Sequence, residues 1–201
     1  DELVLYYAPI NQFNSGNIEW KTFCTAADKL INGSPNPGGI PEVFGSKVYA
    51  ITYKDAAKYK LIATAIENPD WANAETVVAE TDMSLTGYTR SKDYLLLNYS
   101  DGINSHLFKF NPKTKTSTKV PLPFSGAARA KCLDTKTNDF IIDITSWNKP
   151  NTEFLFDAKT RYFPSGLNIG KPSNPSKKVI LFIFVPSVLI EYKSKFLPLG
   201  S

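Results

Sequence analysis

DFIIDITSWNKPNTEFLFD, residues 139–157, is the stretch whose reading decides the fold. Phe140, Ile142 and Ile144 alternate with Ile141, Asp143 and Thr145, which is period two with both faces partly apolar. Residues 146–152 hold Asn148, Lys149, Pro150 and Asn151, types that end a strand and start a turn. Residues 153–156 resume the strand, and 157–161 turn again. On its own this is a β-hairpin.

The stretch has echoes. Residues 48–53 (VYAITY), 94–99 (YLLLNY) and 140–145 (FIIDIT) begin 46 residues apart. Each is followed by a polar turn (KDAAKY, SDGINS, SWNKPNT) and a second strand at 61–66, 107–110 and 154–156. A third strand follows at 76–79, at 118–122 and, weakest in pattern, at 162–163. Before each main run lies a strand of smaller residues, at 40–44, 84–88 and 127–132. Four short antiparallel strands per unit of about 45 residues is the period of a β-propeller blade. One such blade cannot cover both of its faces, so blades come in arrays. Residues 3–23 add two strands around 11–17 and read as the outer half of a preceding unit. The expected fold is therefore all-β: a partial propeller of three four-stranded blades and a half.

The bulk numbers agree. The 201 residues are 42% hydrophobic, 21% charged and 13% aromatic, values of a globular chain rich in strand formers. The net charge of +4 is spread along the chain apart from residues 109–119, which reads as a solvated surface and not as a nucleic-acid groove. Residues 22–31 are the best local helix candidate, with about two turns of pattern. Cys24 and Cys132 stand apart, with no CxxC and no histidine beside them, so they read as two buried free thiols and not as metal ligands. The chain starts at Asp1 with neither an initiator Met nor a signal peptide, and so reads as a processed or excised piece, its compartment open between cytoplasm and periplasm. The longest apolar run, 179–190, is interrupted by Pro186 and Ser187 and is too short to span a bilayer.

In this order and spacing the units resemble a known family. Residues 144–157 (ITSWNKPNTEFLFD) resemble the last propeller blade of the prolyl oligopeptidase family of serine peptidases. Residues 94–110, followed by Val120-Pro121-Leu122-Pro123, are similar to its penultimate blade, and 52–80 look like the blade before. The resemblance covers residues 3–163, leaving 164–201 as a linker and an apolar C-terminal strand. It implies the C-terminal half of a seven-bladed propeller that, in the family, covers an α/β-hydrolase domain and admits short peptides to be cut after proline.

The residues for that chemistry are not in this sequence. Such hydrolases carry the nucleophile in G-x-S-x-G on a strand-to-helix elbow, and no such pentapeptide occurs here. Ser125 and Ser165 each precede a glycine, but in turns with no helical pattern after them. His106 is the one histidine and reads as a surface or edge-strand residue. Asp82, Asp93, Asp101, Asp134, Asp139 and Asp157 lie mostly at turns and read as turn caps. Trp20, Trp71 and Trp147 fall in or beside turns and read as inter-blade packing, with a peptide-binding wall as the alternative. No catalytic, cofactor or metal residue is assigned.

Two functions follow. One is the substrate-gating propeller of a prolyl-oligopeptidase-like peptidase, inactive by itself. The other is a free-standing propeller that binds a protein or peptide. In either case an open blade face with about six apolar side chains forgoes roughly 9–18 kcal/mol of burial, so the chain is expected to associate. Its partner would be a second copy or the rest of the ring and its hydrolase, with no nucleic acid and no membrane involved.

Overall fold

The computed structural model of the chain describes residues 3–13, 16–31, 41–157 and 161–164. Two compact units share them: residues 5–13 and 16–23 belong to one, and Leu3, Val4 and the described residues from Cys24 onward belong to the other. In the smaller unit β1 (Leu5–Tyr7) pairs with β2 (Lys21–Cys24, whose last residue opens the larger unit). Tyr7 and Phe23 meet edge to face, 6.1 Å between ring centres. This is the two-stranded half-unit expected at the start of the chain.

Residues 22–31 do not form an α-helix. After β2 comes a single 3-10 turn, Ala26–Asp28, and then β3 (Leu30–Ile31). The Asp28 carboxylate accepts the Thr25 N–H at 2.8 Å and the Thr25 hydroxyl at 3.0 Å, while Lys29 takes a left-handed φ of 53°. A cap at one end and a left-handed residue at the other close the segment after one turn.

Three antiparallel blades follow. Blade 1 contains β4 (Glu42–Phe44), β5 (Lys47–Thr52), β6 (Lys60–Ala65) and β7 (Glu75–Val78), with β3 joining β4 on the inner edge of β5. Blade 2 is β8 (Ser84–Arg90), β9 (Leu95–Ser100), β10 (Ser105–Asn111) and β11 (Thr116–Val120). Blade 3 is β12 (Ala127–Cys132), β13 (Phe140–Ser146), β14 (Lys149–Asp157) and β15 (Arg161–Pro164). The weak fourth strand of blade 3 is thus present as β15. The polar turn read over residues 146–152 is shorter than its composition implies. Ser146 pairs with Lys149, leaving Trp147 and Asn148 as the turn, and an irregularity between Ile144 and Ser146 absorbs the extra length. Pro150 lies beside that irregularity and beyond β15, whose pairing begins at Phe154.

The core lies between the blades. Tyr49, Ile51, Leu61 and Ala63 of blade 1 pack with Leu85, Tyr88, Leu95, Leu97, Tyr99 and Phe110 of blade 2. On the other face of blade 2, Leu96, Leu107 and Val120 pack with Ala128, Ala130, Phe140, Ile142, Ile144 and Phe156 of blade 3. Successive strand residues point to opposite faces, so an unbroken Leu95-Leu96-Leu97 run is what a strand covered on both sides requires.

Polar ties join the same place in successive blades. The Tyr88 hydroxyl donates to the Tyr49 carbonyl at 2.7 Å and accepts the Glu42 N–H at 3.0 Å, and Arg90 donates to the Val43 carbonyl. Burial pushes the Tyr88 phenol far above its ordinary value, so it stays a neutral donor. Between blades 2 and 3, the buried Ser91 hydroxyl donates to Asn138 Oδ1 at 3.0 Å, and Asn138 Nδ2 donates to Asp93 at 2.8 Å. At the rim, Glu75 of blade 1 takes Lys47 from its own blade and Lys115, at 2.7 Å, from blade 2.

The face of blade 3 turned away from blade 2 differs. It carries Arg129, Lys131, Asp143 and Glu153, with Ile141 and Leu155 as its large apolar side chains. Lys131 bonds Asp143 at 2.6 Å, and the hydrogen bond shared with Asp143 pushes the Glu153 carboxyl above its ordinary value. The described part of this face therefore offers far less apolar area than the six side chains expected of an open blade.

Leu97→Ala and Ile142→Ala, each fully buried in one inter-blade core, should each cost about 2–5 kcal/mol in urea unfolding. Ile141→Ala, on the far face, should cost less. Gly126→Ala should be severe as well, since a Cβ there would lie 2.1 Å from the Thr145 carbonyl oxygen. The Lys115 and Lys47 hydrogen bonds hold the Glu75 carboxyl down to about 2, against an ordinary 4.5. A carboxyl lowered by folding stabilises above its unfolded value and loses that contribution as pH falls towards the folded one. The urea midpoint should accordingly drop as pH is lowered from 4.5 to about 2, and drop less in Glu75→Gln.

Candidate functional site

The site starts from one glycine and one asparagine. In β8 an irregularity between Leu85 and Gly87 displaces Thr86, whose hydroxyl donates to the Asn98 carbonyl at 3.1 Å. Gly87 then stands opposite Asn98 of β9. Asn98 reaches across to blade 3, where its Nδ2 donates to the Ala128 carbonyl at 3.0 Å. Its Oδ1 is buried and has no hydrogen-bond partner among the described residues. An unpaired buried amide oxygen costs about 1–3 kcal/mol, so it marks a place where a donor is wanted.

Around that amide lies a cleft of about 470 Å³ between the first strands of blades 2 and 3. Thr86, Asn98, Ser100 and Ser105 give it polar side chains, and Gly87, Ala128 and Ala130 leave it room. β8 and β12 are edge strands of their sheets, so main-chain groups line it too. The described lining contains no His, Cys, Asp or Glu. A cleft of hydroxyls and one amide can bind and orient; its described lining has no base to activate a nucleophile.

The residues singled out from the sequence lie elsewhere. His106 is near the start of β10, an interior strand and not an edge one, and its Nε2 lies 2.7 Å from Asp101 Oδ2. The Ile103 and Asn104 N–H groups donate to Asp101 Oδ1 at 2.9 and 2.8 Å. The Asn104 bond, then the His106 and Ile103 bonds, hold that carboxyl well below the usual range. This is a capped turn that also holds a histidine, with Ser100 Oγ accepting the Gly102 N–H at 3.1 Å beside it. Asp134 caps a turn through the Lys136 N–H at 2.8 Å, whereas Asp93 joins blades 2 and 3. Ser125 is exposed between β11 and β12, with a strand and not a helix after it. Ser165 and the apolar run 179–190 lie outside the described residues.

The tryptophans divide. Trp71 is buried at the β6–β7 turn, as packing requires. Trp20 is 57% exposed and Trp147, at the tip of the β13–β14 turn, is 96% exposed, so neither packs between blades among the described residues. Neither thiol is in a disulfide; Cys24 is buried and Cys132 partly so. Among the described residues no three His, Cys, Asp or Glu side chains cluster to hold a metal, and no helix is long and apolar enough to cross a membrane.

Sequence reasoning alone does not single out Asn98 and Gly87. The signals are there: a lone amide in the apolar run YLLLNY, and a glycine inside the strand SLTGYTR.

Three stacked, four-stranded antiparallel blades with a cleft at their inner strands define this class: a β-propeller array. Residues 41–162 match the family described as "Prolyl oligopeptidase, N-terminal beta-propeller domain", and the chain belongs to that family. It is 24% identical over 162 residues to the prolyl endopeptidase of Elizabethkingia meningoseptica, covering 80% of this chain and 23% of that protein. It is 22% identical over 158 residues to the prolyl endopeptidase of Elizabethkingia miricola, covering 78% and 22%. The chain thus spans under a quarter of the length of these curated relatives. Among solved structures, prolyl oligopeptidase B from Galerina marginata, bound to a 35mer hydrolysis and macrocyclization substrate, superposes with a TM-score of 0.62. It is 20% identical, over 79% of this chain and 21% of that one. A second prolyl endopeptidase structure gives a TM-score of 0.60 at 18% identity, over 74% and 21%. At such identities the structures speak for the fold.

Burial pushes the Cys132 thiol up, and Cys24 is more buried still. Both should react with iodoacetamide far more slowly in the native chain than in urea. Fast native labelling of Cys24 would contradict its placement.

Proposed function

We propose that this chain is the substrate-gating propeller portion of a prolyl-oligopeptidase-like serine peptidase, and that its 201 residues do not hydrolyse peptides by themselves. The observation that carries this reading is that the matched family region, residues 41–162, falls on the three stacked blades. Two further facts support it. One histidine and no G-x-S-x-G leave no Ser–His–Asp set of the α/β-hydrolase type within the sequence given. The cleft between β8 and β12 is built for contact and not for bond cleavage.

The blade 3 far face bears on the partner. With Arg129, Lys131, Asp143 and Glu153 across it, the cover it takes is a surface of alternating charge. A further blade of the same ring or a second copy of this chain would meet that need, more polar than the junctions between blades 1, 2 and 3.

A free-standing interaction module is the second reading. It is favoured by Ile103 and Trp147, 86% and 96% exposed at the equivalent turns of blades 2 and 3.

The purified chain should show no turnover of a fluorogenic Gly-Pro amide. Replacing the corresponding blades of a prolyl endopeptidase with residues 41–162 should restore cleavage of short proline peptides in the chimera. Turnover by the chain alone that a serine-directed inhibitor abolishes would refute inactivity. A folded chimera that cuts long and short peptides equally would refute gating.

A further inference from the structure

The strand registers of blade 3 set three charged residues in one row on the face turned away from blade 2. Arg129 of β12 stands opposite Asp143 of β13, and Asp143 stands opposite Glu153 of β14. The next row on that face is Lys131, Ile141 and Leu155. Lys131 reaches from its row to Asp143, at 2.6 Å. Arg129, at one end of the charged row, is exposed and forms no ion pair with another described residue. Glu153, at the other end, stands beside a like charge, which destabilises a sheet. The hydrogen bond and the charge of Asp143 push its carboxyl above the ordinary value. The row therefore has a cation without an anion on one side of β13 and a crowded carboxyl on the other.

We propose that blade 3 docks on a second copy of this chain through this face, by a two-fold contact along β13 in which Arg129 of each copy pairs with Glu153 of the other. Two copies of one sheet meet face to face across a two-fold axis lying in the plane between them. An axis along β13 exchanges the β12 and β14 sides, so each Arg129 lies over the Glu153 of the other copy. An axis across the strands would set Arg129 on Arg129 and Glu153 on Glu153, so the charge pattern selects the first. Facing sheets stand about 10 Å apart, within reach of an arginine, whose planar fork fits a carboxylate. Asp143 falls on the axis and meets its own copy, but each is already neutralised by its Lys131. In the neighbouring row Ile141 meets Ile141, and Leu155 lies under the alkyl stem of Lys131 of the other copy, a use of lysine that leaves its charge at the rim. Ile141 and Leu155 are half-buried, and Leu133, just past β12, is 66% exposed. A second copy supplies the complementary charges by symmetry and makes each contact twice. The contact belongs to blade 3 alone, so it goes beyond the gating reading and does not depend on it.

The test is sedimentation equilibrium of the full chain. The unmodified protein should show a monomer–dimer equilibrium below about 100 µM, weakened when salt is raised from about 0.05 to 0.5 M. Arg129→Glu and Glu153→Arg should each weaken the dimer at least about tenfold, because like charges then face each other at both contacts. Mixed in equal amounts, the two variants should dimerise with each other, since each supplies the charge the other has lost. Ile141→Lys, which sets two cations together on the axis, should weaken the dimer as well and stands in if either charge reversal fails to fold. A monomer at about 100 µM overturns the proposal. So does a dimer that every folded variant leaves unchanged, or a mixture of the two folded charge reversals that stays monomeric. The salt series reads out on the unmodified chain, and a dimer indifferent to salt overturns the proposal even where no variant folds.

Discussion

A four-stranded twisted sheet has two faces and no helix to cover either. Blade 2 meets that constraint from both sides: Leu95, Leu97 and Tyr99 go to blade 1, and Leu96 to blade 3. Everything else in the larger unit depends on this sharing. It explains the near-continuous apolar run of β9 and the small alanines of β12. It also explains why the blade 3 far face stands out. There the same strand positions carry an ion pair and a carboxyl pair in place of most of the apolar side chains.

The cleft is a by-product of the same stacking. It lies where the first strands of blades 2 and 3 come together, and β8 and β12 carry glycine and alanine along it. Asn98 then does two things at once. It ties the blades through Ala128, and it leaves its Oδ1 buried with no partner among the described residues. Chemistry needs a different set of groups, and His106, held by Asp101 at a turn, is not part of the cleft lining.

Most of the fold is legible in the sequence, because the signals are local. Alternation marks each strand, and Asn, Asp, Gly and Pro mark each turn, so β12 has the bounds its pattern predicts and β15 forms despite its short pattern. Structure departs from expectation where pairing overrides composition. Residues 146–152 have the composition of a long turn, yet all but Trp147 and Asn148 are drawn into β13 and β14 by the ladder. Residues 22–31 have helical spacing, yet Asp28 and Lys29 stop them after one turn. Trp20 and Trp147 are bulky enough to suggest packing, and their exposure depends on what the turn places near them. The cleft is illegible for a related reason. Its defining contact joins Asn98 to Ala128, thirty residues away, and nothing local in either segment announces the other.

The ties between blades carry a consequence for how such a chain can change over time. Glu42 to Tyr88, Val43 to Arg90 and Ser91 to Asn138 each join residues separated by 46 or 47 positions. The bond length of the architecture, counted along the sequence, is therefore one repeat. Gaining or losing a whole repeat keeps blade positions in step along the sequence, whereas gaining or losing part of one shifts them all together. Lineages carrying this array should vary in blade number far more readily than in blade length, with the tolerated length changes collected in the turns that lie outside the ties.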